Sequence, residues 1–193
     1  MKLLGPLCVT SFALLVSCEQ ESTTMPAETE SDAKPALEEL WVNRFLGLEV
    51  YHIETAEWNL YHDEEDGRMN LWVRLDCDRA IKQFEDTEYT NTIPNWEINL
   101  IESEIVIAEG FEATVPEGYD ESRGGWITNF YAGSHDGSDK NTVRILEVDG
   151  DKLLLRLTGE IVDPNFYDDS KPRSKILVET WFTKNPEGSR SMQ

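Results

Sequence analysis

Cationic side chains are scarce in this chain: 17 Lys and Arg stand against 38 Asp and Glu, giving a net charge of -21 over 193 residues and a pI near 4.4. A protein that grips nucleic acid does so by neutralising phosphates with Lys and Arg, so this balance excludes that class of partner. Histidine is confined to His52, His62 and His135. The first two lie ten positions apart, about 33 Å along an uninterrupted strand at about 3.3 Å per residue, too far to share a metal unless the chain turns between them. HxH and HExxH spacings are missing, as are a G-x-S-x-G elbow and a phosphate-binding glycine loop; Gly124-Gly125 precedes a strand pattern and not a helix, so no helix dipole is available there. No metal site and no cofactor are expected. An uninterrupted apolar run of about 20 residues, the length of a membrane-spanning helix, is also missing.

What is present suffices for a core. Hydrophobic residues make up 39% of the chain and include six Trp, which argues against wholesale disorder and for one domain with tails. Beyond residue 47 the apolar period is mainly two. Arg68–Cys77 alternates cleanly, Leu48–Leu60 alternates with a disturbance near Glu54–Glu57, Trp96–Ala108 is a long apolar-rich run, and Gly125–Ala132 and Lys175–Thr183 are shorter ones. Thr142–Val148 and Lys152–Val162 flank Asp149-Gly150-Asp151, a hairpin signal, and Asp63–Gly67 is a second turn between strand patterns. Leu37, Leu40, Trp41 and Phe45 fall at helical spacing between Pro35 and Gly47, which predicts a short helix. Asp78–Tyr89 fits a helical turn after an Asp78 cap, an edge strand or a loop. The predicted fold class is all-β, a mainly antiparallel β-sandwich or barrel with a short N-terminal helix.

The N-terminus reads differently. Lys2 is followed by an apolar stretch to Val16, interrupted by Gly5-Pro6 and free of acidic residues until Glu19, the layout of a secretory signal. Its last residues, Leu15-Val16-Ser17-Cys18, resemble the lipobox of bacterial lipoproteins. That resemblance covers only the signal region. It implies a diacylglyceryl thioether on Cys18, cleavage before Cys18, acylation of the new amino terminus, and thus a lipid anchor in a membrane of the bacterial cell envelope. Cys8 would leave with the signal and Cys18 would be a thioether, so Cys77 is the one remaining thiol and no disulfide can form within the mature chain. Cys77 shares a strand face with Leu71, Val73 and Leu75 and sits between Asp76 and Asp78, a core position and a poor one for a nucleophile.

The expected domain plan is a signal peptide over 1–17, a flexible acidic tether over 18–35, a β-rich domain over 36–185 and a flexible tail over 186–193. The tether is rich in Glu, Ser, Thr, Ala and Pro and cannot bury enough apolar area to offset its ordering entropy. As a coil it would hold the domain roughly 20 to 25 Å from a bilayer. The processed chain would carry 16 basic and 38 acidic residues, a charge of -22 that disfavours lying flat on anionic lipid.

Carboxylates are too many for sequence to nominate an acid and base pair. Those inside apolar strands, Glu102, Glu104 and Glu179, are the ones burial would perturb. Asp136–Asn141 and Asp163-Pro164-Asn165 with Asp168-Asp169 are oxygen-rich turns, yet neither matches an EF-hand loop, and Asp, Asn and Gly favour turns for backbone reasons alone. Trp72 shares its strand face with Asn70, Arg74 and Asp76, and Trp181 lies opposite Val178, Thr180 and Phe182, beside Glu179. Rings displayed among polar groups serve recognition, so Trp72 and Trp181 are the ligand-binding candidates, unless a loop packs over them. Without a catalytic motif, the sequence favours a non-enzymatic binding or interaction module of the envelope, with an unidentified protein or carbohydrate ligand. Its rivals are a carboxylate-dependent, glycosidase-like hydrolase on the same sandwich and a purely structural lipoprotein.

Overall fold

A computed structural model describes residues 34–62, 67–85, 92–116, 118–122, 124–166 and 170–187. The signal segment with Cys18, the tether before Lys34 and the tail after Glu187 lie outside the described residues. The described chain is all-β. Twelve strands run in the order β1 (Glu39–Arg44), β2 (Gly47–His62), β3 (Met69–Lys82), β4 (Asn95–Glu102), β5 (Glu112–Val115), β6 (Tyr119–Asp120), β7 (Gly125–Trp126), β8 (Thr128–Tyr131), β9 (His135–Asp136), β10 (Asp139–Asp149), β11 (Lys152–Ile161) and β12 (Ser174–Lys184). Ten of them form one sheet, ordered β5-β10-β11-β12-β1-β2-β3-β4-β8-β9, and β6 and β7 form a small separate ribbon.

The segment expected to be a short helix is instead β1, with Leu40 and Val42 buried in the core and Trp41 on the opposite face. Leu40 and Val42 fit a period of two as well as Leu37, Leu40 and Trp41 fit a helical stripe. What decides is partnership: β1 pairs antiparallel with β2 on one side and with β12 on the other, satisfying backbone groups that a lone short helix would leave to water. The ambiguous stretch after Asp78 continues β3 to Lys82, opposite Val50 of β2. Both expected hairpins are present. In the β10–β11 turn, Gly150 takes φ +59° while Asp151 is not left-handed, the placement of a II′ turn and not of the I′ turn that Asp-Gly suggests.

The disturbance near Glu54 is a bulge. Tyr51 and Ile53 belong to the core before it; Ala56, Trp58 and Leu60 are turned toward the core after it, so one extra residue shifts the inward phase by one. Ring and backbone contacts show the sheet curling on itself. Trp96 on β4 donates its Nε1–H to Ser138 Oγ at 3.0 Å, just before β10, and its ring lies over Gly159 on β11. A Cβ at Gly159 would sit 2.6 Å from Asn141 Oδ1 on the neighbouring strand β10 and 3.2 Å from Trp96 Cζ2, so a larger residue there must displace both side chains. Thr128 Oγ1 also donates to Ser138 O at 2.9 Å, so β8 and β10, near opposite ends of the strand order, meet at one residue. The core is the enclosed apolar set that includes Leu71, Leu75, Trp96, Ile98, Leu155 and Phe182.

Candidate functional site

Two buried polar clusters and one open cleft stand out, and they are built differently. At the β1–β2 hairpin, the Arg44 guanidinium donates to Glu49 Oε1 at 2.9 Å and to Asp163 Oδ2 and Oδ1 at 3.0 and 2.9 Å. Tyr51 donates its hydroxyl to Glu49 Oε2 at 2.8 Å, the Phe84 amide donates to Glu49 Oε1 at 3.0 Å, and Ser174 reaches Asp163 Oδ2 at 3.3 Å. Burial, reinforced by the neighbouring Glu49 charge, pushes the Tyr51 phenol far above its usual range, so it stays a donor. Asp163, expected among oxygen-rich turn residues, is therefore spent on an internal ion pair. The other oxygen-rich turn is occupied by its own backbone: Asp136 Oδ1 accepts from the Gly137 amide and Asp139 Oδ1 from that of Lys140, while Asp168-Asp169 lie outside the described residues. Among the described residues no group of three or more His, Cys, Asp and Glu is placed to hold a metal.

The second cluster lies on the outer face of β2, β3 and β4. There Trp72 is 3% exposed and stands between Asn59 and Asn99 in the strand register. Its cover is local: Asn59 donates to Pro186 O at 3.3 Å, Asn99 donates to Trp126 O at 2.9 Å, and Asn185 donates to Glu57 at 3.0 Å. Trp72 is thus packed beneath the β12 exit and the β6–β7 ribbon and is no exposed platform. Asn70 Oδ1 is buried there without a hydrogen-bond partner. Beside them Glu97 is buried, and burial raises its pKa; Asn99, the Trp72 indole and the Arg74 charge only partly offset this.

Sequence reasoning pointed to Glu102, Glu104 and Glu179 as perturbed acids. Glu102 and Glu104 are exposed. Glu179 is buried on the outer side of β12, where burial opposes its charge, but hydrogen bonds from Lys34 (2.6 Å) and Arg156 (2.9 Å) and their charges outweigh it and lower its pKa. The buried acids that sequence missed are Glu49, Glu97 and Asp163. Their signal was weak: Glu97 lies between Trp96 and Ile98, but alternation alone places it on an outer face that reads as solvent. Cys77 packs against the core, and burial, with Asp76 and Asp78 adding, pushes its thiol up to about 12, far from a nucleophile. His52 holds Asp78 at 2.7 Å.

Trp181 is placed otherwise. β1 separates β12 from β2 only as far as Glu39; past it the two strands converge until Thr183 and Lys184 pair directly, in parallel, with Glu57 and Trp58. Between these points the sheet is open, and the β2 bulge lies along the edge of the opening. The result is a solvent-open cleft of about 370 Å³, with Ile53 and Ala56 as apolar lining, Trp181 on the β12 side, threonine hydroxyls from Thr55, Thr180 and Thr183, and carboxylates from Glu38, Glu54 and Glu57. Its entrance corner is held by Glu38, whose amide donates to Thr180 Oγ1 at 3.3 Å and whose carbonyl accepts from Ile53 N at 2.8 Å, with φ at +68°. Of the two Trp candidates, one is sealed and one lines a cavity of the size that small ligands use.

No known protein-family profile, no curated protein and no solved structure matches the chain.

Proposed function

We propose that this protein is a lipid-anchored component of the bacterial cell envelope whose folded unit is a non-enzymatic binding module, and that the cleft beside Trp181 is where it binds. The observation that carries the binding role is the coincidence of a partly exposed Trp, hydroxyl groups and an apolar floor in one open cavity. The buried acids Glu49 and Glu97 are closed off by protein groups and are not presented to a substrate. The anchoring role rests on Leu15-Val16-Ser17-Cys18 behind an apolar signal-like segment. Among the described residues no helix is long and apolar enough to cross a membrane.

Two measurements test this reading. In the native host, fatty-acid labelling should mark the wild-type chain and not Cys18→Ala; equal labelling of both would remove the anchor. A photo-crosslinking side chain introduced at Thr183, at the cleft, should trap an envelope component, while the same group at Val106, exposed and outside the cleft, should not. Identical patterns from both positions, or none from either, would remove the cleft as the binding site.

A further inference from the structure

Resting on the reading of the Trp181 cleft as the binding site, we propose that its ligand is an organic cation: an ammonium or guanidinium group, free in solution or carried on a peptide side chain. The cleft sets the sign of the charge it accepts. Glu38, Glu54 and Glu57 all line it, and none of its ten lining residues is basic. The cations nearby are already committed: Lys34 and Arg156 are both held by Glu179, Arg74, opposite Glu57 in the strand register, is held by Asp76 at 2.8 Å, and Lys184 lies over the Trp58 ring at 5.3 Å. Asn185 donates to Glu57, and His52 Nε2 stands 4.0 Å from Glu38, but the Glu54 carboxylate has no ion pair or hydrogen bond among the described residues. An anionic ligand would meet three carboxylates at close range.

Trp181 supplies the second element. An indole face attracts a cation through its quadrupole, and a cation of modest size can contact the ring and a carboxylate together. The volume, about 370 Å³, admits a headgroup with a short aliphatic stem against Ile53 and Ala56, and excludes a large folded element. The net charge of -21 adds a long-range field that draws cations toward the protein and that salt weakens.

The test uses the full chain, solubilised in detergent and labelled with nitrogen-15 at tryptophan. The Trp181 indole signal is assigned by its loss in Trp181→Phe. Tetramethylammonium, arginine amide and a Lys-Gly-Lys peptide are titrated at constant ionic strength, with N-acetylglucosamine and acetate as neutral and anionic controls. The cations should shift the Trp181 signal saturably, and the controls should not. Trp181→Leu, followed by calorimetry, should weaken binding about three- to thirty-fold. Glu54→Gln and Glu57→Gln should each weaken it while leaving the remaining amide dispersion unchanged. A peptide that binds far more tightly than arginine amide assigns the cation to a partner protein; equal affinities assign it to a small molecule. A shift with the neutral sugar and none with the cations would overturn the cationic class and keep the cleft as a binding site. Silence with every probe would also overturn it, and the Thr183 crosslink then decides separately whether the cleft binds anything.

Discussion

Arg44 grips Asp163 at two points, Nε to Oδ2 at 3.0 Å and Nη2 to Oδ1 at 2.9 Å, across 119 residues of sequence. The contact ties the end of β1 to the segment leaving β11, and Glu49 takes a third donor from the same guanidinium at 2.9 Å. Both side chains of the Arg44–Asp163 pair are almost fully buried. Removing the cation would leave two carboxylates in a low-dielectric interior, a loss of about 3–5 kcal/mol. Against a total stability of about 5–15 kcal/mol for a typical domain, that is large. Arg44→Leu should therefore be unfolded or nearly so by urea titration, whereas Asp163→Asn, which leaves Arg44 with Glu49, should lose distinctly less. Equal, small losses would show that the network contributes little.

Glu97 and Glu179 should give the protein opposite pH responses. Burial raises the Glu97 pKa above its ordinary value, so its charge costs stability once the pH exceeds the folded value, and the cost vanishes below the unfolded value. Glu97→Gln should be more stable than wild type at pH 7 and equal to it at pH 3. Glu179 has a lowered pKa, so its contribution is present above the unfolded value and is lost as the pH falls through the folded one. Glu179→Gln should be less stable than wild type at pH 7, with the difference closing in acid. Thermal melts of both variants across pH 3–8 check the signs.

Gly159 is the point where β11 passes under Trp96. A methyl group there would sit 2.6 Å from Asn141 Oδ1, too short for contact, and 3.2 Å from the indole, which must give slightly. Gly159→Ala should cost about 1–3 kcal/mol in urea denaturation, as overpacked cores do, and should perturb the environment of Trp96. A neutral effect would mean that the opposing walls are further apart than described.

Trp72 and Trp181 should separate cleanly. Trp72→Ala removes a buried ring held beneath residues 185–187 and Trp126 and should lower stability by about 3–5 kcal/mol. In the folded fraction its ligand response at the cleft should be unchanged. Trp181 lines the cleft and is partly exposed, so Trp181→Ala should cost less stability and weaken the response. Trp72→Ala losing binding without losing stability would reverse these assignments.

Sequence alone determined the strand content. Alternation over Arg68–Cys77 and the Asp149-Gly150 turn were readable because a half-buried strand must place apolar side chains every second residue and a two-residue turn needs positive φ at defined positions. The disturbance near Glu54 was visible too, though not that it is a bulge along the edge of the Trp181 cleft. The conformation of Glu39–Arg44 was not readable, because its apolar spacing fits either period and the choice depends on β2 and β12, the latter more than 130 residues distant. The same holds for the acids: Glu49, Glu97 and Asp163 look like every other carboxylate in a chain rich in them. Desolvation and ion pairing are properties of what surrounds a group, and only the curled sheet brings Arg44 to Asp163, covers Trp72 and leaves Trp181 at an opening.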